Sequence, residues 1–200
     1  MSQTIIGGSL GYWSRRIIHI AIGLIPIIYY WERVRVEKFF ILSMDQIISI
    51  IVALVIALDI IRQKRGWLIF GQRHYEVKQF SAFAWTIFSV GLVLLAAPKI
   101  GVNGASIGMP LIWALCLTDP LMGEFRKKRF STATILLCGS IVVASVWLIS
   151  IIWLGSPWWF IIFIVPITVM AEWYKMSWID DNAVILLLPL AIIFFLLPWR

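Results

Sequence analysis

The stretch Ser131–Leu154, STATILLCGSIVVASVWLISIIWL, contains no charged residue over its 24 positions. An α-helix rises about 1.5 Å per residue, and the hydrocarbon core of a bilayer is about 30 Å thick. Roughly 20 apolar residues therefore cross a membrane as one helix. This stretch is long enough, and it predicts a transmembrane helix.

Other apolar runs lie on both sides of this stretch, at Ile17–Trp31, Phe39–Ile61, Phe80–Ala97, Ala105–Gly123, Trp158–Ala171 and Ala183–Trp199. The first and sixth runs are short for a span and need flanking residues such as Leu10–Ser14 to complete them. The whole chain is 62% hydrophobic and only 14% charged, with a mean hydropathy of +0.95, which excludes a compact soluble domain. We expect an all-α, polytopic transmembrane bundle of about seven helices, forming one domain over residues 1–200.

The basic residues indicate how the bundle is oriented. Most of the 17 Lys and Arg residues fall on the side of the N-terminus, and the positive-inside rule makes that side cytoplasmic. Topology thus explains much of the net charge of +7, and no nucleic-acid partner is needed. Most acidic residues also fall on this side, so the polar chemistry is expected at the cytoplasmic face.

The first polar constellation combines Arg15, Arg16, His19 and Gly23. At helical spacing Arg15, His19 and Gly23 share one face. Gly23 would let another helix or a ligand chain approach closely. The alternative is a basic topology signal with one satisfied histidine.

The second constellation is Asp59 with Arg62, three residues apart near the end of a span. The pair is either a simple ion pair or a metal ligand beside a phosphate clamp. A basic loop, Arg62–Gln79, follows and holds Arg73 and one acid, Glu76. Such a loop suits anionic headgroups, and it equally suits a nucleoside triphosphate.

The third constellation is Asp119-Pro120 near the end of a long apolar run, followed by the basic cluster Arg126–Arg129. An acid at membrane depth is a functional candidate by default. Pro120 is expected to interrupt the helix and free backbone groups beside a polar cavity.

The late acids form a fourth constellation: Glu172, then Asp180-Asp181-Asn182 directly before the last apolar run. Asp180, Asp181 or Asn182 either cap that final helix or join the other polar groups. The chain lacks the P-loop motif of soluble nucleotide hydrolases. Taken together, carboxylates and cations gathered at one membrane face are the combination that phosphoryl transfer requires.

These motifs resemble, in sequence order, those of the dolichol kinase and phytol kinase family, which includes the CTP-dependent diacylglycerol kinases. The resemblance is carried by the following matches: Arg15-Arg16-x-x-His19-x-x-x-Gly23, Asp59-x-x-Arg62, Arg73-x-x-Glu76 before Phe80, Asp119-Pro120, and Glu172 with Asp180-Asp181-Asn182. The chain departs from the family pattern at Thr118, where a glycine is usual.

The resemblance implies a membrane-embedded kinase that uses CTP and Mg²⁺ to phosphorylate a lipid alcohol, either an isoprenoid such as a polyprenol, dolichol or phytol, or diacylglycerol. Asp119, Asp181 and Asp59 would hold the metal. His19, Glu172 and Asn182 would orient or deprotonate the hydroxyl, with Asp119 and Asp181 as catalytic carboxylates and with Glu76 and Asp180 as further polar residues of the site. The triphosphate would be bound by Arg15, Arg16, Arg62, Arg73, Arg126, Lys127 and Lys128.

Two other functions remain open at this point. A phosphatidate cytidylyltransferase would share CTP, Mg²⁺ and the membrane, but it would release pyrophosphate. A small transporter would need polar groups near the bilayer midplane, where these runs are mostly apolar. The expected location is the inner membrane of a bacterium, among membrane lipids, with the active face in the cytoplasm.

Overall fold

The computed structural model describes residues 5–100, 103–173 and 179–197. Within this part the chain is α-helical, and an isolated antiparallel bridge between Ile5 and Arg73 is the β-type pairing observed. The α-helices are α1 Gly8–Ala21, α2 Ile25–Trp31, α3 Arg33–Phe40, α4 Met44–Arg65, α5 Ala82–Ala96, α6 Ala105–Lys127, α7 Thr132–Leu154, α8 Phe160–Trp173 and α9 Asp181–Leu196. The predicted all-α transmembrane bundle is confirmed.

Every predicted apolar run coincides with one or more of these helices. Helices α4, α5 with its short extension to Lys99, α6 and α7 are each long and apolar enough to cross a membrane, while α8 and α9 are shorter apolar helices. The last residues of the seventh run lie outside the described residues. A count of seven spans stays a prediction.

The first span is longer than the apolar run that predicts it. A 3₁₀ turn at Ile22–Leu24 joins α1 to α2, giving one rod from Gly8 to Trp31. Helix α3 then turns away from this rod by 85°. The rod thus includes Leu10–Ser14, the flanking residues that the short run was expected to need.

Helix α6 lies at the centre of the bundle and is the most buried of the four long spans. It packs against α1, α2, α5, α7, α8 and α9. The predicted interruption at Pro120 is wrong, because α6 continues through both Pro110 and Pro120 to Lys127. Pro120 still removes one N–H donor from the backbone hydrogen bonds of the helix. The Arg16 side chain of α1 approaches α6 at this residue.

The segment between α4 and α5, residues 66–81, folds over the end of the bundle. The backbone N–H of Ile6 donates to the carbonyl of Gln72 (2.9 Å), and the N–H of Gly71 donates to the carbonyl of Ile6 (3.0 Å). Gly7 has a φ of +87° beneath the ring of Phe70, where a side chain would clash. These two hydrogen bonds fix the start of α1 against the 66–81 segment. Both elements therefore lie at the same end of the bundle as the candidate functional site described below.

Candidate functional site

A cavity of about 760 Å³ lies at the end of the bundle where α1 and the 66–81 segment meet the ends of α6 and α8 and the starts of α5 and α9. Most of the residues that the sequence predicts as functional face it. The lining consists of Ile5, Tyr12, Arg15, Arg16, His19, Arg73, Tyr75, Gln79, Phe80, Trp85, Asp119, Pro120, Gly123, Arg126, Lys127, Glu172, Ile179, Asp180, Asp181 and Asn182. Five separate helices thus contribute to one polar site.

Helix α1 presents its basic residues to the cavity at the predicted helical spacing. Nη1 of Arg15 lies 3.0 Å from Oε1 of Glu76, and Nη2 of Arg16 lies 3.2 Å from Oε1 of Glu124. Nε2 of His19 lies 3.6 Å from Oδ2 of Asp119. The α1 face is therefore oriented by acids on α6 and on the 66–81 segment.

Gly23 serves helix packing. The indole N–H of Trp113 donates to the Gly23 carbonyl at 2.9 Å. A Cβ at Gly23 would lie 3.6 Å from Cβ of Cys116. Of the two predicted uses of this glycine, the structure shows the approach of another helix.

Tyr12 is a cavity residue that the sequence motifs do not indicate. Its hydroxyl donates a hydrogen bond to Glu124, and its ring lies 4.8 Å from the Arg16 guanidinium carbon and 4.3 Å from Nζ of Lys127. Both cations therefore lie close enough to the same ring for a cation–π interaction. The available signal was its position four residues before Arg16, which places both on one face of α1.

Glu172 is fully buried and lines the cavity. It forms an ion pair with Arg126, whose side chain is 29% exposed. The guanidinium carbon of Arg126 lies 6.0 Å from the centroid of the Trp173 ring. Among the described residues neither carboxylate oxygen of Glu172 has a hydrogen-bond donor, and only Oε1 takes part in the ion pair with Arg126. A buried carboxylate with one free oxygen is able to accept a hydrogen bond from a bound hydroxyl.

The Asp180-Asp181-Asn182 stretch both caps α9 and lines the cavity. Asp180 is the N-cap residue, and its side chain accepts a hydrogen bond from the N–H of Asn182. The amide nitrogen of Asn182 donates to Oγ1 of Thr86 at 3.1 Å. Burial, followed by the charge of neighbouring Asp181, raises the pKa of the Asp180 carboxyl to about 8. The two alternatives for these residues are therefore compatible, since capping leaves both aspartates facing the cavity.

Asp59 and Arg62 do not line the cavity. Nε and Nη2 of Arg62 lie 2.8 and 3.3 Å from the two Asp59 carboxylate oxygens, and the N–H of Ser81 donates to Oδ2 (3.1 Å). Arg62 also donates to the carbonyls of Trp67, Glu76 and Gln79. The expected metal role of Asp59 and phosphate role of Arg62 do not fit, because protein partners occupy the polar atoms of both. The simple ion pair is the alternative that fits.

Glu76 and Lys128 also lie outside the cavity lining. Glu76 is almost completely buried and accepts hydrogen bonds from Arg15 and from the N–H groups of Arg73 and Ala82. It therefore acts from behind the cavity wall, where it fixes Arg15. Lys128 follows the last residue of α6 and is the C-cap of that helix.

The donor set of the cavity suits a magnesium ion that arrives with a phosphate ligand. No cluster of three or more His, Cys, Asp or Glu residues able to enclose a metal occurs in the described ranges. Mg²⁺ commonly takes only one or two protein carboxylates and completes its octahedron with water and substrate phosphates. Asp119 and Asp181 face one cavity and fit that limited role.

Comparisons of the chain with protein-family models, with curated proteins and with solved structures gave no match.

Proposed function

We propose that this protein is a membrane-embedded kinase that transfers the γ-phosphate of CTP to the hydroxyl of a lipid alcohol. One observation carries the proposal: a single cavity at the end of a transmembrane bundle holds cations from α1, α6 and the 66–81 segment together with carboxylates from α6, α8 and α9. Transfer of a phosphoryl group needs cations for the phosphate oxygens and carboxylates for the metal and the hydroxyl proton. The choice of CTP rests on the family resemblance.

Arg15, Arg16 and Lys127 would bind the triphosphate, with Arg73 and Arg126 on other walls of the cavity. Arginine suits this task because its planar fork matches phosphate oxygens. The internal acids Glu76 and Glu124 hold Arg15 and Arg16 in place before a nucleotide arrives. Such preorganisation lowers the reorganisation required on binding.

In the proposed reaction the lipid hydroxyl oxygen attacks the γ-phosphorus, and the bond from that phosphorus to the β–γ bridging oxygen breaks. CDP leaves with that oxygen, and the hydroxyl proton passes to a carboxylate of the cavity. Glu172 is the candidate for this acceptor, because Asp119 and Asp181 are assigned to the metal, and His19 would orient the hydroxyl. Mg²⁺ bound at Asp119 and Asp181 would neutralise charge on the phosphates.

The acceptor is proposed to be an isoprenoid alcohol or diacylglycerol. The cavity lies at the end of spanning helices, so a hydroxyl at the membrane surface would reach it while the tail stays in the bilayer. The proposed active face is cytoplasmic, from the basic residues that surround the cavity and the positive-inside rule. An inner bacterial membrane is the proposed location.

The test uses purified protein in lipid nanodiscs with γ-labelled CTP or ATP, Mg²⁺ and a panel of polyprenol, phytol, farnesol and diacylglycerol. We expect label in an organic-soluble product, and a loss of about a hundredfold or more in Asp119→Asn. Asp45→Asn is the matched control, because Asp45 lies in the first turn of α4, at the opposite end of that helix from Arg62, and its side chain is half exposed. Equal activity in both variants, or no transfer to any alcohol, would contradict the proposal.

A further inference from the structure

The cavity has an aromatic wall in addition to its charged walls. Tyr75 and Phe80 of the 66–81 segment and Trp85 of α5 all line it. The rings of Phe80 and Trp85 meet edge to face with centroids 6.0 Å apart. Phosphate binding does not use these rings, so the wall needs a different explanation.

The aromatic wall continues out of the cavity along α5. Trp85 meets Phe88 edge to face, again at 6.0 Å between centroids. Trp85, Phe88 and Leu92 share one face at i, i+3 and i+7. Leu92 is 38% exposed, and Trp85 and Phe88 are partly exposed. Trp85, Phe88 and Leu92 therefore form an apolar strip. This strip extends about 10 Å along a spanning helix, from the cavity toward the bilayer interior.

The cavity end of this strip lies beside carboxylates that face the cavity. The hydrogen bond from Asn182 to Thr86 joins the start of α9 to α5, directly after Trp85 in sequence. Asp181 precedes Asn182 and lines the same cavity. A hydroxyl held near these acids thus has an apolar path for its attached chain within one helical turn.

We propose that the Trp85–Phe88–Leu92 face of α5, entered past Phe80, binds the hydrocarbon chain of the acceptor lipid. This inference rests on the proposed kinase function and assigns the part of the molecule that the lipid tail contacts. Three features favour a lipid chain as the occupant: the strip is apolar along its length, it follows a membrane-spanning helix, and it begins in the reaction cavity. A nucleobase bound in the cavity would not contact Phe88 or Leu92, because these two residues are not part of the cavity lining.

The kinetic test compares Trp85→Ala, Trp85→Leu and Phe88→Ala with Phe83→Ala. Phe83 is a matched control because it is an exposed aromatic residue on another face of the same helix. We expect the KM for geranylgeraniol to rise about tenfold in the strip variants, by loss of apolar contact. The KM for CTP should stay unchanged in all strip variants, the KM for the short alcohol prenol should stay unchanged in Phe88→Ala, and Phe83→Ala should resemble wild type. A rise in the KM for CTP would instead assign the rings to the nucleobase and overturn the proposal, as would equal effects in Phe83→Ala.

A second measurement separates the tail site from the kinase function. Geranylgeraniol that carries a diazirine in its chain is photolysed with wild-type protein without nucleotide, and the labelled peptides are identified. Labels concentrated on Trp85, Phe88 and Leu92, and not on Phe83, support the strip even if the protein transfers no phosphate. Labels spread evenly over the lipid-exposed helices would overturn the strip even if the kinase is active.

Discussion

Charged side chains at the polar end of this bundle are buried with partners. Glu172 pairs with Arg126, and Asp59 pairs with Arg62. An unpaired charge at membrane depth is costly, so such pairing is expected. Asp180 is different, because its close neighbour is another acid, Asp181, and burial favours its neutral form.

A pH dependence of stability follows from Asp180. Its folded-state pKa is raised to about 8, against an ordinary value of 3.8. Between these values the unfolded chain has lost the proton while the folded protein keeps it, so stability falls as pH rises and levels off above about 8. The Asp180→Asn variant lacks this titration. Its melting temperature relative to wild type should therefore increase from pH 5 to pH 8 and then stay constant.

This experiment is done with EDTA and without nucleotide, because a bound cation would lower the pKa of Asp180. Glu32→Gln is the control and should show no such trend, because Glu32 is partly exposed and is not part of the cavity lining. A constant difference between wild type and Asp180→Asn over this pH range would show that the raised pKa is wrong.

The polar residues that share a helix face were predictable from the sequence, whereas their partners on other elements were not. Helical spacing places Arg15 and His19 on one side of α1, and both line the cavity. The same spacing joins Asp59 to Arg62, but it does not reveal that Ser81, Glu76 and Gln79 complete that pair. Tyr12 and Trp85 were missed for a related reason, since their place depends on how α1 and α5 pack.

At the scale of elements, the 66–81 segment is organised by one arginine. Arg62 donates hydrogen bonds to three carbonyls of this segment and also pairs with Asp59 in its own helix. Glu76, in the same segment, then fixes Arg15 of α1. The cavity wall therefore depends on a residue that lies outside the cavity.

Removing the Arg62 guanidinium should loosen this segment. Arg62→Gln leaves Asp59 buried without its cation, a change that costs about 3–5 kcal/mol in comparable buried pairs. We expect backbone amides of residues 67–80 to exchange hydrogen at least about tenfold faster, as measured by mass spectrometry, while α7 is unchanged. Lys64→Gln is the control, because Lys64 is exposed two residues away. Identical exchange in both variants would contradict the assignment of Arg62 as the organiser of the segment.

The helices themselves were largely predictable, because long uncharged runs leave few other structures in a membrane. Two details depended on packing. The short first run becomes a rod from Gly8 to Trp31, and Pro120 does not end α6. A proline within a central helix is tolerated when neighbouring helices hold the backbone in place. Arg16 of α1 also donates a hydrogen bond to the carbonyl of Pro120.

At the scale of the whole molecule, polar and apolar chemistry are separated along the bundle axis. The cavity and its cations lie at one end, and the long spans α4, α5, α6 and α7 extend away from it. A transporter would need a polar path toward the bilayer midplane. A site at one end instead suits a reaction between a nucleotide in water and a lipid at the membrane surface.

The most direct measurement of this account uses CTP with different labels on its α- and γ-phosphates, supplied with Mg²⁺ to the protein in nanodiscs that contain lipid alcohols and phosphatidate. The account predicts that the γ label enters the organic-soluble product while the α label stays in water as CDP. Entry of the α label into lipid with release of pyrophosphate would identify a cytidylyltransferase and contradict the kinase. Retention of both labels in intact CTP would contradict phosphoryl transfer by this cavity.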